Sequence, residues 1–337
     1  MKQLTLGDQS QSVLLARHNL ALKTRMTTLV QEVTTGTVAD QGRHLAGDFS
    51  ALSAIERSLT MLKTYDRNAA EAAGMARMMQ AGLGSLGQMA MQTAEDMLLV
   101  GGTPSAGSLD TAGATAAARF DSAVAALNIK YAGRSLFAGT ATDSPAIAPA
   151  SAIMAALSTA VSGAGTAQDV AQVIDLWFDT PGGGFDTVAY QGATAPMGGL
   201  PVGEGQRITL SVTAVDPEIR GMLKAMATAA LLADETVLAG DPVERGRLAV
   251  MAGEGLQSAQ SPLTTLQARI GDAEAGIETI QAENAARSHA FQIARTDLIG
   301  ADPYETATRL DQVQTRLETL YTLTARMSRL TLADYLS

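Results

Sequence analysis

Residues 302–337 read DPYETATRLDQVQTRLETLYTLTARMSRLTLADYLS, and the fold is decided by how this stretch is understood. Asp302 suits an N-cap, Pro303 a first helical position, and Glu305 a side chain that reaches back to the cap, so a helix starts here. Apolar residues then recur at Leu310, Val313, Leu317, Leu320, Met327 and Leu330. Steps of three, four and seven place them on one helix face, with Thr324 as an interruption. The pattern runs to the end of the sequence without a terminating cap. A lone helix of this kind is marginal in water, so the stripe is expected to find a partner.

A matching stripe lies at the other end. Ser12 to Val33 reads as an amphipathic helix in which Leu15, Asn19, Leu22, Met26, Leu29 and Val33 alternate by four and three. Arg17, Lys23 and Arg25 fall off that seam. A coiled-coil arm is the reading taken; an ordinary surface helix is the alternative, which one short repeat does not exclude. Leu15, Leu22, Met26, Leu29, Val33, Leu310, Val313, Leu317, Leu320, Met327 and Leu330 are the expected assembly interface. Full burial of one Leu or Ile is worth roughly 1.5–3 kcal/mol, so pairing the two seams supplies order that neither has alone.

Between the arms the chain is mostly helical. Gly36 to Ser50 is rich in Gly and polar residues and reads as a loop. A helical stripe restarts at Leu52 and runs through the Met-rich stretch near Met78, weakened at Gly82, Gly84 and Gly87 by roughly 1 kcal/mol each relative to Ala. Gly101 to Pro104 ends it. Thr111 to Ala132 is a further Ala-rich helix. From Thr140 to Asp216 Gly and Pro become frequent. Val170, Val173, Ile174 and Trp177 suggest a short helix, Ile208 to Ala214 alternates as a half-buried strand, and Phe185 to Gln191 is expected to be a second strand. Met222 to Leu238 is again helical. Ala259 to Ile299 keeps a 4-3-4-3 apolar spacing, the 3.5-residue period of a supercoiled seam. At ~1.5 Å per residue it would span roughly 60 Å, too long for one compact globule to wrap.

The expected fold class is therefore mainly α, an elongated helical bundle or coiled coil with a small mixed α/β insert. Residues 1–45 with 300–337 are the arms, 46–139 with 216–299 a helical rod, and 140–215 the insert.

The totals fit. The chain has 337 residues, of which 46% are hydrophobic and only 4% aromatic, so Ala, Thr and Met carry much of the packing. A formal charge of -10 and a pI near 4.8 argue against nucleic acid as the main partner. There is no Cys, which excludes thiol catalysis, disulfides and Cys-based zinc sites. The first twenty residues lack an apolar core and a small-residue cleavage site, so no Sec signal is expected, and no apolar run is long enough for a membrane span.

The sequence holds no recognisable catalytic constellation. His18, His44 and His289 are far apart and stand in no metal-ligand spacing. Gly182 to Gly184 lacks the lysine of a phosphate-binding loop and reads as a turn. No GxSxG occurs. No catalytic residue, cofactor or metal is expected. The Met residues between Met75 and Met97 suit either an adaptable binding face or plain core. Asn284 and Arg287, polar positions in the long seam, either set register or mark a local opening.

The quoted C-terminal stretch is similar to the terminal helix shared by bacterial flagellins and the flagellar hook-associated protein 3 family (FlgL), the hook–filament junction proteins. Its ending, Ser328 to Leu336, resembles the junction proteins more than flagellins. Gly133 to Pro145, GRSLFAGTATDSP, resembles the Arg-x-Leu-Phe-Ala-Gly-Thr segment that closes the family's N-terminal helical half. The N-terminal arm, LARHNLALKTRMTTLVQEVTTG, fits the family's first helix. The likeness covers the outer two-thirds of the chain. The family's usual apolar start around a Met-Arg-Ile-Ser sequence is missing, and its Ser-Asp-Asp-Pro loop is replaced by Thr37 to Asp48.

The resemblance implies a structural protein and not an enzyme, exported through the flagellar type III pathway to the extracellular flagellum. It implies terminal arms that are loose in the free monomer and fold on assembly, with the insert facing outward. The implied partners are a preceding hook-associated protein of the FlgK type, flagellin, further copies of the chain, and the export chaperone and secretion apparatus; neither nucleic acid nor membrane is among them. Flagellin itself is the nearest rival reading. A cytoplasmic coiled-coil scaffold or signalling protein and an extracellular hydrolase belong to other classes, and the residues supply no acid, base or metal for the last.

Overall fold

In the computed structural model, which describes residues 6–238 and 241–336 and places side chains at Ser10 and from Val13 to Arg326 within those ranges, the chain is mainly α-helical. It divides into two compact units, Met1–Leu62 with Ala285–Ser337, and Lys63–Asn284.

The first unit is built on α1 (Leu6–Thr35) and α9 (Pro303–Leu336), with the short α2 (Gln41–His44) in the loop after α1. Asp40 caps α2 by accepting the Arg43 N–H at 3.0 Å. The residues just after α1 and those just before α9 are stitched by backbone: the Val38 N–H donates to Ile299 O at 2.9 Å, and the Ala301 N–H to Gly36 O at 3.0 Å. Thr37 and Gly300 form an antiparallel bridge, so α1 and α9 run antiparallel from that point. Gly36 takes φ +67°, a left-handed value that lets the chain leave α1.

The second unit holds the main core. Two long helices, α3 (Ser50–Gly102) and α8 (Pro242–Ile299), contribute to both units. Around their inner parts pack α4 (Ala106–Leu127), α5 (Ala150–Val161), α6 (Ala167–Asp179) and α7 (Pro217–Ala230). One cluster takes in Met79 and Leu86 of α3, Phe120 of α4, Leu157 of α5, Phe178 of α6, Met226 of α7 and Leu263 of α8. Residues 140–215 thus share their core with the helices on either side of them. Within this unit α3 and α8 are antiparallel, since Gly87 lies against Leu263 and Gly101 against Val250. Both follow a seven-residue repeat of buried positions: Ala69, Ala76, Leu83, Ala90 and Met97 in α3, and Ala249, Leu256, Leu263, Ile270 and Ile277 in α8.

The glycines expected to weaken α3 do not break it. Further along, α3 comes close to α8: a Cβ at Gly101 would stand 2.6 Å from Val250 Cγ2 and 2.8 Å from Gly246 O. Packing on small residues replaces the thick aromatic core that this composition lacks.

Strands are few. β1 (Lys130–Tyr131) pairs with β2 (Arg134–Ser135), and β3 (Leu200–Gly203) with β4 (Gln206–Ile208), each an antiparallel hairpin. Leu210 and Val212 are buried with Thr209 and Ser211 exposed, but the expected alternation ends at Thr213, which is buried like Ala214 and bonds Asp216, and only Gln206–Ile208 is paired. Phe185 to Gln191 is not a strand. Phe185–Ala189 forms a π-helical turn, because Phe185 is drawn between Phe178 and Tyr190, with ring centroids at 5.6 and 6.3 Å, and under the Arg220 guanidinium at 4.6 Å. The Tyr190 hydroxyl donates to Ala193 O at 2.7 Å, and burial, helped by the charge of Asp216, pushes its pKa up to about 12.

Candidate assembly interface

The α1–α9 pair is the surface to which the expected interface residues belong. Its geometry begins at the α9 cap. Asp302 Oδ1 accepts the N–H groups of Tyr304 and Glu305 at 2.9 and 3.0 Å, and Thr306 donates its hydroxyl to Asp302 O. Glu305 does not reach back as the sequence suggested. Its carboxylate pairs with Arg309 one turn on, where a full guanidinium charge outcompetes a single backbone N–H.

Leu22, Leu29, Val313, Leu317 and Leu320 are buried together, with Leu15, Met26 and Leu310 packed partly against them. Val33 lies outside this cluster and is 45% exposed. Its place in the repeat is right, but the seam is running out there: α1 stops at Thr35, and the buried residue in the first turn of α9 is Thr306, not an apolar side chain. Met327 and Leu330 have side chains outside the described residues.

The pair leaves apolar surface uncovered. A groove of about 650 Å³ beside the seam is lined by Met26, Val30, Leu317 and Tyr321 together with the polar Lys23, Thr27, Gln314 and Glu318. The Lys23 ammonium stands 6.0 Å from the centre of the Tyr321 ring, within cation–π range. Val13 and Leu20 precede Leu15 and Leu22 by two residues, which puts them about 200° around the helix from the seam. Leu20 is 67% exposed and Val13 52%. One partner helix therefore covers one face of α1 and leaves Val13 and Leu20 exposed on another. Reading the sequence for a single seam missed Val13, Leu20, Val30 and Tyr321; the seven-residue spacing of Val13 and Leu20 was the signal that they share one side of α1.

The remaining candidates fall elsewhere. Met75, Met79 and Met97 are buried in the core of the second unit, while Met91 is exposed. His18, His44 and His289 are exposed. Among the described residues no group of three His, Cys, Asp or Glu is placed to hold a metal ion, and no helix is long and apolar enough to cross a membrane. Asn284 is buried and donates to Val202 O at 2.8 Å, whereas Arg287 is exposed.

No protein-family profile and no curated protein sequence matches this chain. Among solved structures it is similar to a Vibrio parahaemolyticus protein provisionally named as flagellar hook-associated. The TM-score is 0.55 at 14% identity, covering 75% of this chain and 97% of the other. At that identity the likeness is one of fold.

Proposed function

We propose that this chain is a structural subunit of the bacterial flagellum and serves at the hook–filament junction. The observation that carries the proposal is the apolar surface left open on the α1–α9 pair, set on a fold like that of a flagellar hook-associated protein. Residues far apart in sequence close a two-helix seam, and Val13, Leu20 and the Met26–Tyr321 groove remain for neighbouring subunits. A two-helix pair is a thin core, and lateral contacts that bury such a face offset the entropy of ordering it. Heterologous contacts of this sort build rings or helical tubes.

In this reading the chain binds a preceding hook-associated protein on one side and flagellin on the other, is exported through the flagellar type III pathway, and turns residues 140–215 outward. The role is mechanical and involves no catalysis. The resemblance of residues 133–145 and 328–336 to the junction family favours this placement over bulk filament subunit.

Deletion of the gene tests it, with electron microscopy of the cells and assay of flagellin in the medium. Hooks without filaments and flagellin leaking into the medium are expected. Filament loss with no flagellin protein made would identify the chain as flagellin, and swimming cells with intact filaments would overturn a structural role.

A further inference from the structure

The seven-residue repeats of α3 and α8 pose a problem of register. Sliding one helix past the other by one heptad, about 10 Å at ~1.5 Å per residue, keeps buried positions facing buried positions. The repeat alone therefore does not choose between neighbouring registers; along the inner core the native one is favoured by close contacts such as Gly101 on Val250 and Gly253 on Leu98, and by the Gln80 carboxamide donating to Gln267 O at 2.7 Å. The repeat in α8 ends at Asn284, one heptad beyond Ile277, where a polar residue takes the buried position.

Asn284 does not bond to α3. Its carboxamide donates to Val202 O at 2.8 Å, in the β3–β4 hairpin. On α3, Asn68 donates to Pro201 O at 2.7 Å, the preceding carbonyl of the same strand. Between these bonds the fully buried Val202 side chain sits with Ala69 and Ala72 of α3 and Ile277 of α8. Two amides, one from each long helix, thus grip consecutive peptide units of a third element.

We propose that the β3–β4 hairpin is a register lock at the Asn68–Asn284 end of the α3–α8 pair, with Asn68, Asn284 and Val202 as its positioning residues. Consecutive carbonyls on one strand are a few ångströms apart, so both bonds form only when Asn68 and Asn284 stand level. A slip of a single helical turn, about 5.4 Å, breaks at least one of them. A bonding partner outside the coil makes the choice of register absolute and not merely relative, because the hairpin is itself anchored: Leu200 packs on the main core.

The chain has no cysteine, so paired cysteines report register without background. Ala73 and Glu278 line one groove in the native register. Gly271 lies one heptad from Glu278 and has room for a Cβ. Ala73→Cys with Glu278→Cys reads the native register, and Ala73→Cys with Gly271→Cys the slipped one, using a short bifunctional thiol reagent on the full chain. In the native sequence the first pair cross-links and the second does not. With Asn68→Ala and Asn284→Leu together, the native-to-slipped ratio is expected to fall at least about tenfold while helical content holds. Asn68→Ala alone removes one half-exposed donor, leaves the seam intact, and is expected to raise the slipped product measurably; it decides the matter if the double variant does not fold. Leu263→Ala destabilises the same helix pair away from the hairpin and is expected to leave the ratio unchanged. An unchanged ratio in Asn68→Ala, or an equal shift in Leu263→Ala, overturns the proposal.

Discussion

Leu317 is the residue on which the α1–α9 pair can be tested most directly. It is buried with Leu22, Leu29, Val313 and Leu320, yet it also lines the open groove. Leu→Ala in a closed core costs roughly 2–5 kcal/mol; beside a groove the neighbours relax and water enters, so the lower end, about 2–3 kcal/mol, applies to Leu317→Ala. That is about a 30- to 150-fold rise in the open population of the pair. Native-state amide exchange on the monomer reads this population segment by segment. Exchange is expected to accelerate by that factor in α9 and equally in α1, with the second unit unaffected. Val33→Ala, at an exposed position of the same repeat, is the control and should change exchange by no more than a surface substitution does, about 0.5 kcal/mol. Acceleration confined to α9, or an equal effect from Val33→Ala, would refute the claim that the seam holds α1.

Removing the α9 cap with Asp302→Ala should cost about 1 kcal/mol and free the amides of Tyr304 and Glu305, seen as faster exchange at these two sites. Gly253→Ala should destabilise by about 1–3 kcal/mol in a denaturant titration although Ala is the better helix former, because its Cβ would stand 2.7 Å from Leu98 Cγ and 3.2 Å from Ala94 O. Arg245→Ala should cost several kcal/mol, roughly 2–4 after allowance for the partial exposure of Asp110, since the buried guanidinium pairs with Asp110 at 2.8 Å and donates to Leu232 O at 2.6 Å. Asp234 accepts from Ser158 and Thr236, which hold its pKa below the ordinary carboxylate value. Its folded form prefers the charged state, so this contribution is full above the unfolded pKa and is lost as pH falls through the folded one. Asp234→Asn should therefore lower the melting temperature at neutral pH and make no difference in strong acid.

The arms were legible because a repeat of three and four is a statement about a single helix, and Leu22 and Leu317 satisfy it whatever lies between them. Where the seam stops was not legible: Val33 obeys the same repeat, and its exposure depends on where the other helix begins. The long helices were also readable, although α8 starts at Pro242 and not near Ala259, since its first turns carry no clean stripe. The π-helical turn at Phe185–Ala189 escaped because its cause is a stack of aromatic rings from separate segments. Asn284 stood out as a polar residue in an apolar repeat, but nothing near it in sequence announced a hairpin carbonyl 82 residues away. The pairing of Arg245 with Asp110 was hidden for the same reason. At the candidate interface the paired seam could be read ahead of the structure, whereas the groove and the exposure of Val13 and Leu20 required both helices to be in place.

The seam between Leu22 and Leu317 joins residues nearly three hundred positions apart. A ribosome adding roughly 5–20 residues per second takes on the order of 15–60 s to travel that distance. Throughout that time α1 exists without α9, while the second unit gains all the segments it needs. A helix made long before its partner is thus matched late, and for that interval its apolar side chains are available to any other molecule that meets them.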